Sequence, residues 1–146
     1  MPSNRLRTGY LDKYGNPCRK ILIHGTLPAL GGEFEAVIDT GFTGFLMMPI
    51  LSAFPLGLIL YGSIDYTLAD GTTSTNLLAL GEVKVGDDDT PVSGVIVPGS
   101  DCDVLLGMDY LRLSKRSLVV SDKEIMLADE EVVDQVIAAF QQKRKS

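Results

Sequence analysis

The chain has 146 residues, of which 45% are hydrophobic and 22% charged, and this composition predicts a single globular domain with its own buried core. The formal net charge of −6 argues against general nucleic-acid binding, because a protein that binds phosphate backbones needs a basic face. With only two cysteines and one histidine, no disulfide framework or metal cluster is recognisable, so we expect no cofactor and a reducing, cytoplasmic setting.

The N-terminal third predicts a polar segment followed by two strands. Residues 1–17 are rich in turn formers and predict a loosely ordered segment with room for one short edge strand. Residues 19–26 and 33–38 predict strands joined by a hairpin connection, and the second strand becomes apolar throughout as it enters the core. His24 lies where strand alternation predicts a surface position, so we do not expect it to be catalytic.

The second strand runs directly into Asp39, Thr40 and Gly41, which Phe42 and Thr43 follow. An acid at the end of a buried strand is a poor core residue and a good candidate for a site. Asp, Thr and Gly are also turn formers, so the motif alone leaves an ordinary turn open as the alternative.

The middle of the chain predicts short elements and then a long hairpin. Residues 45–48 predict a strand and residues 49–54 one helical turn, and the apolar stretch that contains them is too short and too broken by proline for a membrane span. Residues 58–68 and 73–85 predict long strands around an Asp70-Gly71 turn, a strong hairpin signal. This hairpin is either an ordinary surface turn or a mobile cover over a cleft.

The last third predicts an acidic turn, further short elements and a final helix. The turn at residues 86–91 lacks the ligand spacing of a calcium loop, so we interpret it as a solvated turn. The remaining predicted elements are strands at 92–97 and 103–106, a helix at 108–113, and a hairpin of strands at 118–120 and 124–127. Residues 129–143 repeat apolar side chains at helical spacing between an acidic start and a basic end, which predicts a C-terminal helix.

Three of these stretches together resemble the retropepsin-like aspartic proteases of clan AA, and in particular the small bacterial single-lobe members. They are the Asp-Thr-Gly motif at residues 39–41, the hairpin tip at residues 68–73, and Leu105, Leu106 and Gly107 ahead of a short helix. The resemblance covers roughly residues 20–127. It implies a mainly β fold, a single-lobe closed β-barrel of the acid protease type, with a short helix after Gly107.

The resemblance also suggests how the chain is divided. We expect an N-terminal segment at residues 1–17, a retropepsin-like protease domain at residues 18–128 and a C-terminal helix at residues 129–146. The helix departs from the family pattern, which usually ends in a strand that joins a dimer sheet.

The activity that the resemblance implies is an aspartic endopeptidase acting on peptides or proteins. Carboxylate-catalysed hydrolysis needs two acids, yet the chain has the motif once, so the resemblance implies a homodimer that pairs Asp39 with its own copy. Asp39, Thr40 and Gly41 would be catalytic, with Thr40 bonding across the dimer axis and Gly41 placing backbone against the substrate. Neither a nucleic acid nor a membrane is an expected partner.

The resemblance assigns substrate binding to two groups of residues. Phe42 and Thr43 would line the cleft, and the hairpin tip would close over the substrate; its residues are Ala69, Asp70, Gly71 and Thr72. Phe42 departs from the Ala or Ser that the family usually has there, and should narrow the cleft or displace a neighbour. Two alternatives therefore stay open: a dimeric module with little or no activity that binds peptides or partners, and a monomeric β-barrel interaction domain in which Asp39 is a turn residue.

Overall fold

The computed structural model of the protein describes residues 6–67, 69–86 and 88–145. These residues form eleven strands and three α-helices, with short 3-10 turns at Pro28–Leu30 and Phe54–Leu56. In chain order the elements are β1 (Leu6–Thr8), β2 (Tyr10–Leu11), β3 (Pro17–His24), β4 (Gly32–Ile38), β5 (Leu46–Met47), α1 (Ile50–Ala53), β6 (Ile59–Thr67), β7 (Thr73–Val85), β8 (Asp88–Pro98), β9 (Leu105–Leu106), α2 (Met108–Ser114), β10 (Arg116–Val120), β11 (Ile125–Asp129) and α3 (Glu130–Lys145).

Eight of the strands form one sheet, in the order β2-β3-β4-β9-β5-β8-β7-β6. Strand β7 also pairs with β3, from Ile21 opposite Val85 to His24 opposite Glu82, so six of the eight strands form a closed ring. The predicted mainly β fold, with a short helix after Gly107 and a helix at the C-terminus, is confirmed.

The core lies inside this ring. Strand β3 shows why: Ile21 and Ile23 are buried whereas Lys20 and Leu22 are exposed, because successive side chains of a strand point to opposite faces. The other strands of the ring contribute further buried apolar residues, among them Ala36, Ile38, Leu46, Val83, Val85, Val95 and Leu106.

The two-residue strand β9 determines where the candidate site forms. It runs parallel to β4, with Ile38 opposite Leu106, and antiparallel to β5, with Leu46 opposite the same residue. The carboxyl end of β4 therefore lies beside the segment that leads into α2. Asp39 follows the first of these elements and Gly107 precedes the second, so the sheet brings two of the sequence motifs together.

A second, three-stranded sheet has the order β1-β11-β10. Its strand β1 and the neighbouring β2, which pairs with β3, both come from the segment at residues 1–17, for which the sequence predicted at most one edge strand. Residues 1–5 lie outside the described part of the chain. The boundaries of the three predicted segments stay a prediction.

Strand β8 is longer than predicted and begins at Asp88, so the prediction of a turn over residues 86–91 was wrong in its extent. Between the pairs Gly81–Ser93 and Val83–Thr90, two residues of β8 stand opposite one residue of β7, so Pro91 lies in a bulge, which accommodates a residue that lacks a backbone N–H. Asp87 in this turn, like Leu68 at the predicted end of β6, lies outside the described residues.

The remaining expectations concern single residues and the membrane. His24 is half-buried, and its Nε2 atom lies 3.0 Å from Oε2 of Glu82. Cys18 and Cys102 are both free thiols, and burial raises the pKa of Cys18 to about 11. In the described part of the chain, none of the helices has the length and apolar character that crossing a membrane requires.

Candidate active site

Asp39 is held at the end of β4 by hydrogen bonds at three of its atoms. Its backbone N–H donates to the carbonyl oxygen of Leu106 at 2.8 Å, which continues the pairing of β4 with β9 by one residue. Its side-chain oxygen Oδ1 accepts from the Gly41 N–H at 2.9 Å, and its carbonyl oxygen accepts from the Phe42 N–H at 3.1 Å. The carboxylate is half-buried at the mouth of a tight turn, so its position is fixed while water can still reach it.

The turn after Asp39 is joined to the start of α2. The N–H of Met108 donates to the carbonyl oxygen of Phe42 at 2.8 Å, and the N–H of Asp109 donates to that of Gly44 at 3.2 Å. The first N–H groups of a helix have no partner within the helix, and here the turn supplies their acceptors. Residues 39–44, hereafter the Asp39 loop, therefore lie directly against the helix N-terminus.

Two glycines make room for the side chain of Phe42. A Cβ atom at Gly44 would lie 2.7 Å from the Phe42 Cζ atom, and one at Gly107 would lie 2.6 Å from its Cδ2 atom. Such an atom at Gly107 would also clash with the carbonyl oxygens of Gly44 and Phe42. The Phe42 ring thus occupies the space that two absent side chains leave, and it is half-buried against its own loop.

Helix α2 is anchored by Tyr110, a residue that no sequence motif singles out. Tyr110 is buried, and its ring meets Phe45 edge-on, with 5.8 Å between the ring centroids. Its hydroxyl accepts a hydrogen bond from Nη1 of the buried Arg19 at 3.1 Å. The sequence offers one indication of this contact, which is an arginine at the start of an apolar strand. A cation that becomes buried there needs polar partners.

The other predicted residues of the Asp39 loop lie at the surface. Thr40, Gly41 and Thr43 are all exposed. Thr40 also lines a cavity of about 530 Å³ between α2 and β10. The structure therefore brings all the predicted residues from Asp39 to Thr43 into one loop, with the Asp39 carboxylate on an open face of the chain.

The predicted cover is the hairpin of β6 and β7, which pairs up to Thr67 opposite Thr73. Its tip residues 69–72 are exposed. Oδ1 of Asp70 accepts hydrogen bonds from the Thr72 hydroxyl at 2.6 Å and from the Thr72 N–H at 2.9 Å, and these bonds hold the pKa of the Asp70 carboxyl below its usual value. Gly71 has a φ of +85°, in agreement with the predicted turn.

The next question is whether the hairpin tip is attached to the Asp39 loop within one chain. Among the residues that the structure describes, no hydrogen bond joins the two. Nor do those residues include a group of three or more His, Cys, Asp and Glu side chains that could hold a metal ion. The Asp39 loop itself presents a fixed carboxylate beside the exposed backbone of Thr40 and Gly41.

Comparison with known proteins agrees with this arrangement. The family model for aspartyl proteases matches residues 25–110, a stretch that includes the Asp39 loop, the hairpin and the start of α2. The chain belongs to the aspartyl protease family. No curated protein matches the sequence.

Two solved structures that resemble the chain are retropepsin-like proteases. One is a retropepsin-like aspartic protease from Rickettsia conorii, which is 16% identical with a TM-score of 0.57, over 85% of this chain and 90% of that one. Another is the EIAV protease in complex with the inhibitor HBY-793, also 16% identical, with a TM-score of 0.56 over 75% of this chain and 97% of that one. The predicted resemblance to retropepsin-like aspartic proteases is confirmed.

Proposed function

We propose that the protein is a homodimeric aspartic endopeptidase in which each copy contributes Asp39 to one shared site. The observation that carries the proposal is the way in which the chain holds this carboxylate. Leu106 and Gly41 fix the residue by hydrogen bonds, yet its side chain lies on an open face with exposed Thr40 beside it. Membership of the aspartyl protease family supports the same chemistry.

Two Asp39 carboxylates divide the chemical work between them. Two carboxyl groups at close range cannot both ionise, because their negative charges repel, so the pair holds one proton. The ionised acid takes a proton from water as the water oxygen bonds to the peptide carbonyl carbon, while the protonated acid donates to the carbonyl oxygen. Breakdown of this intermediate transfers a proton to the departing amine and breaks the C–N bond.

The remaining residues position the reactants. Thr40 is exposed next to the carboxylate and bonds to the loop of the second copy, while the backbone of Gly41 lies against the substrate. The other carboxylate oxygen, Oδ2 of Asp39, accepts no hydrogen bond from the described residues, which leaves it open to water. The tip at residues 69–72 closes over a bound peptide, and Thr43 lines the cleft.

Phe42 was the reason to consider a dimer that binds peptides without cutting them. Its ring packs between Gly44 and Gly107, inside the loop. A ring in that position supports the Asp39 loop from behind and need not fill the substrate cleft. This packing favours the active enzyme over the inactive module.

The direct test is Asp39→Asn. The amide keeps the shape of the side chain and an oxygen for the Gly41 N–H, but it cannot deprotonate water, so we expect peptidase activity to fall at least about 100-fold. Fold and dimer should persist, as measured by circular dichroism and sedimentation. The matched control is Asp122→Asn, which changes an exposed acid elsewhere in the chain and should leave activity unchanged.

A variant Asp39→Asn that still cleaves peptides would mean that another group is the catalyst. A second measurement addresses an enzyme whose preferred peptide is unknown. A statine-type transition-state mimic should raise the melting temperature of the parent protein and leave that of Asp39→Asn nearly unchanged, because only a proton-sharing pair prefers it. An equal shift for both proteins would contradict the proposed site.

A further inference from the structure

A cavity of about 490 Å³ lies on the face of β4 that also carries Asp39. In this strand Ala36 and Ile38 point into the core and are buried. Glu35 is exposed, and Val37 and Asp39 are half-buried. Successive side chains of a strand alternate between its faces, and the backbone hydrogen bond from Asp39 to β9 extends the strand pairing to Asp39 itself. Glu35, Val37 and Asp39 therefore share one face, and the first two of them line the cavity.

The cavity begins close to the proposed catalytic carboxylate. At about 3.3 Å per residue, Val37 lies roughly 7 Å from Asp39 along the strand. Strand β3 runs antiparallel to β4 with Cys18 opposite Val37, so the turn that precedes β3 lies at the Asp39 end of the sheet. Residues 12–14 of this turn form one wall of the cavity, whereas Gly15 does not line it and has open space around it. The cavity thus adjoins the proposed site of peptide cleavage.

The charged lining of the cavity is mostly acidic. It has carboxylates from Asp12, Glu35 and Asp103 and a single ammonium group, that of Lys13. The Asn16 N–H and the other hydrogen bonds of the turn hold the pKa of Asp12 below its usual value. Among the described residues, neither Glu35 nor Asp103 takes part in a salt bridge. The three negative charges exceed the one positive charge, so the lining attracts cations.

The uncharged lining suits the stem of a long side chain. It consists of apolar side chains and two tyrosine rings, namely Leu11, Val37, Val104, Tyr10 and Tyr14. The Tyr14 ring already holds one cation, since the Lys13 Nζ atom lies 5.0 Å from the ring centroid. Lysine and arginine both have an apolar stem and a charged end, so each can contact the apolar wall and the carboxylates together.

Tyr10 adds a polar atom that lacks a partner. Its hydroxyl oxygen is buried beside Glu35 and makes no hydrogen bond of good geometry with any residue that the structure describes. Burial, and then the charge of Glu35, raise the pKa of Tyr10 to about 12, so the hydroxyl keeps its proton. A buried polar atom costs free energy until it is hydrogen-bonded, and the N–H groups of a cation can supply that bond.

Two observations favour a substrate side chain over other cations. No group of three or more His, Cys, Asp and Glu side chains within the described ranges could hold a metal ion. The cavity also adjoins Asp39, where a bound peptide lies in the proposed mechanism. In a two-fold dimer each copy supplies one such cavity, so the two cavities lie on opposite sides of the bond that is cut.

We infer that this cavity is a subsite that binds a lysine or arginine side chain of the peptide substrate, with Glu35 and Asp103 as its specificity-determining residues. The inference rests on the proposed function, because the Asp39 pair supplies the cleavage. It makes the enzyme an endopeptidase that prefers peptides with a basic residue near the scissile bond.

The first experiment measures this preference directly. Cleavage of a peptide library by the parent protein, followed by mass spectrometry, should show lysine or arginine enriched within about three positions of the cleaved bond. An arginine peptide from the library is then compared with a copy in which norleucine replaces the arginine, because norleucine keeps an apolar stem without the charge. We expect kcat/KM to be at least about 5-fold higher for the arginine peptide.

The double variant Glu35→Gln and Asp103→Asn tests the two carboxylates. It should cleave the norleucine peptide as the parent does and keep less than about a 2-fold preference for the arginine peptide. Glu33→Gln is the matched control, because it removes the same charge from the same face of β4 at a residue that does not line the cavity. This control should keep the full preference, and circular dichroism establishes that all variants are folded.

A reversal of charge distinguishes recognition from stability. Glu35→Lys combined with Asp103→Lys should favour a copy of the peptide that has glutamate in place of the arginine. A loss of stability lowers the rates for all peptides alike, so it cannot produce a new preference. A charge-reversed protein that still prefers the arginine peptide would contradict the inference.

The outcomes separate this inference from the proposed function. A parent protein that cleaves both peptides equally well, or a neutral double variant that keeps the full preference, would overturn the inference and leave the paired Asp39 site standing. If the parent cleaves no peptide, the proposed function fails, and calorimetric titration of the parent with the arginine and norleucine peptides decides the role of the cavity. Equal affinities would then overturn the inference as well, whereas tighter binding of the arginine peptide would support it.

Discussion

Gly107 is the residue on which the geometry of the Asp39 loop depends most directly. A Cβ atom there would meet the Phe42 carbonyl oxygen at 2.5 Å and its ring at 2.6 Å, and both groups belong to the loop. We therefore expect Gly107→Ala to lower the free energy of unfolding by about 1–3 kcal/mol through overpacking. Peptidase activity per folded protein should also fall, because the loop that carries the carboxylate has to move.

The control for this substitution is Gly99→Ala. Gly99 is exposed, and a Cβ atom added there would meet nothing within 4 Å. Urea unfolding and activity assays of the two variants side by side would measure both effects. If Gly107→Ala behaved like Gly99→Ala, the close packing of the Asp39 loop on α2 would be refuted.

At the level of single residues, the sequence predicts the position of Asp39 but not what surrounds it. An apolar run that ends in Asp-Thr-Gly is local information, and the strand and turn form where it indicates. The packing of Phe42 depends on Gly107, and the anchor between Arg19 and Tyr110 joins residues 91 positions apart. Contacts of this kind exist only after the chain has folded, so no local pattern reveals them.

The hairpin of β6 and β7 is the element whose function can be tested separately from Asp39. Gly71 at its tip has a φ of +85°, and a Cβ atom added there would meet nothing within 4 Å. A side chain at this position is therefore strained by the backbone conformation but makes no steric clash. Gly71→Val should cost about 1–3 kcal/mol of stability. If the tip closes over substrate, kcat per active dimer, titrated with a tight inhibitor, should fall further than the folded fraction does.

Gly15→Val is the matched control, because Gly15 also has a positive φ, of +82°, and open surroundings. It lies in the turn between β2 and β3, outside the hairpin. Both variants should lose similar stability, and Gly71→Val alone should lose turnover. Equal kcat values for the two would remove the role of the hairpin as a cover and leave Asp39 untouched.

At the level of elements, the sequence predicts turns whose conformation depends on neighbouring residues. It does not predict strand boundaries that depend on pairing with a distant strand. Asp70 and Gly71 specify a hairpin tip by their own preferences, and the structure has it there. Strand β8 begins four residues before its apolar run because β7 offers backbone partners to Asp88 and Asp89, although Asp is a residue type depleted in strands. The closure of the ring by β3 and β7 is likewise invisible in either strand alone.

The molecule as a whole has one Asp39 per chain, and this fact leads to a prediction about mixtures. When parent chains are mixed with an equal amount of Asp39→Asn chains and allowed to exchange, about half of the parent chains end in mixed dimers. Each mixed dimer has a single carboxylic acid at its site, so activity per parent chain should fall to about one half. The measurement is a peptidase assay after unfolding and refolding the two proteins together.

Mixing with Asp122→Asn chains is the control and should leave the activity per parent chain unchanged. A parent protein whose activity is also unaffected by Asp39→Asn chains would act as independent monomers. That result would exclude the shared site while leaving the fold and the family of the chain unaffected.

The insertion of β9 between β4 and β5 has a consequence for the timing of synthesis. A ribosome makes Asp39 long before it makes Leu106 and Met108, whose backbone groups bond to Asp39 and to Phe42. Chains emerge from the N-terminus, and a domain folds once the parts that pack together are available. The carboxylate therefore lacks its final surroundings until most of the polypeptide has been translated, and the proposed peptidase has no formed site with which to attack neighbouring nascent chains.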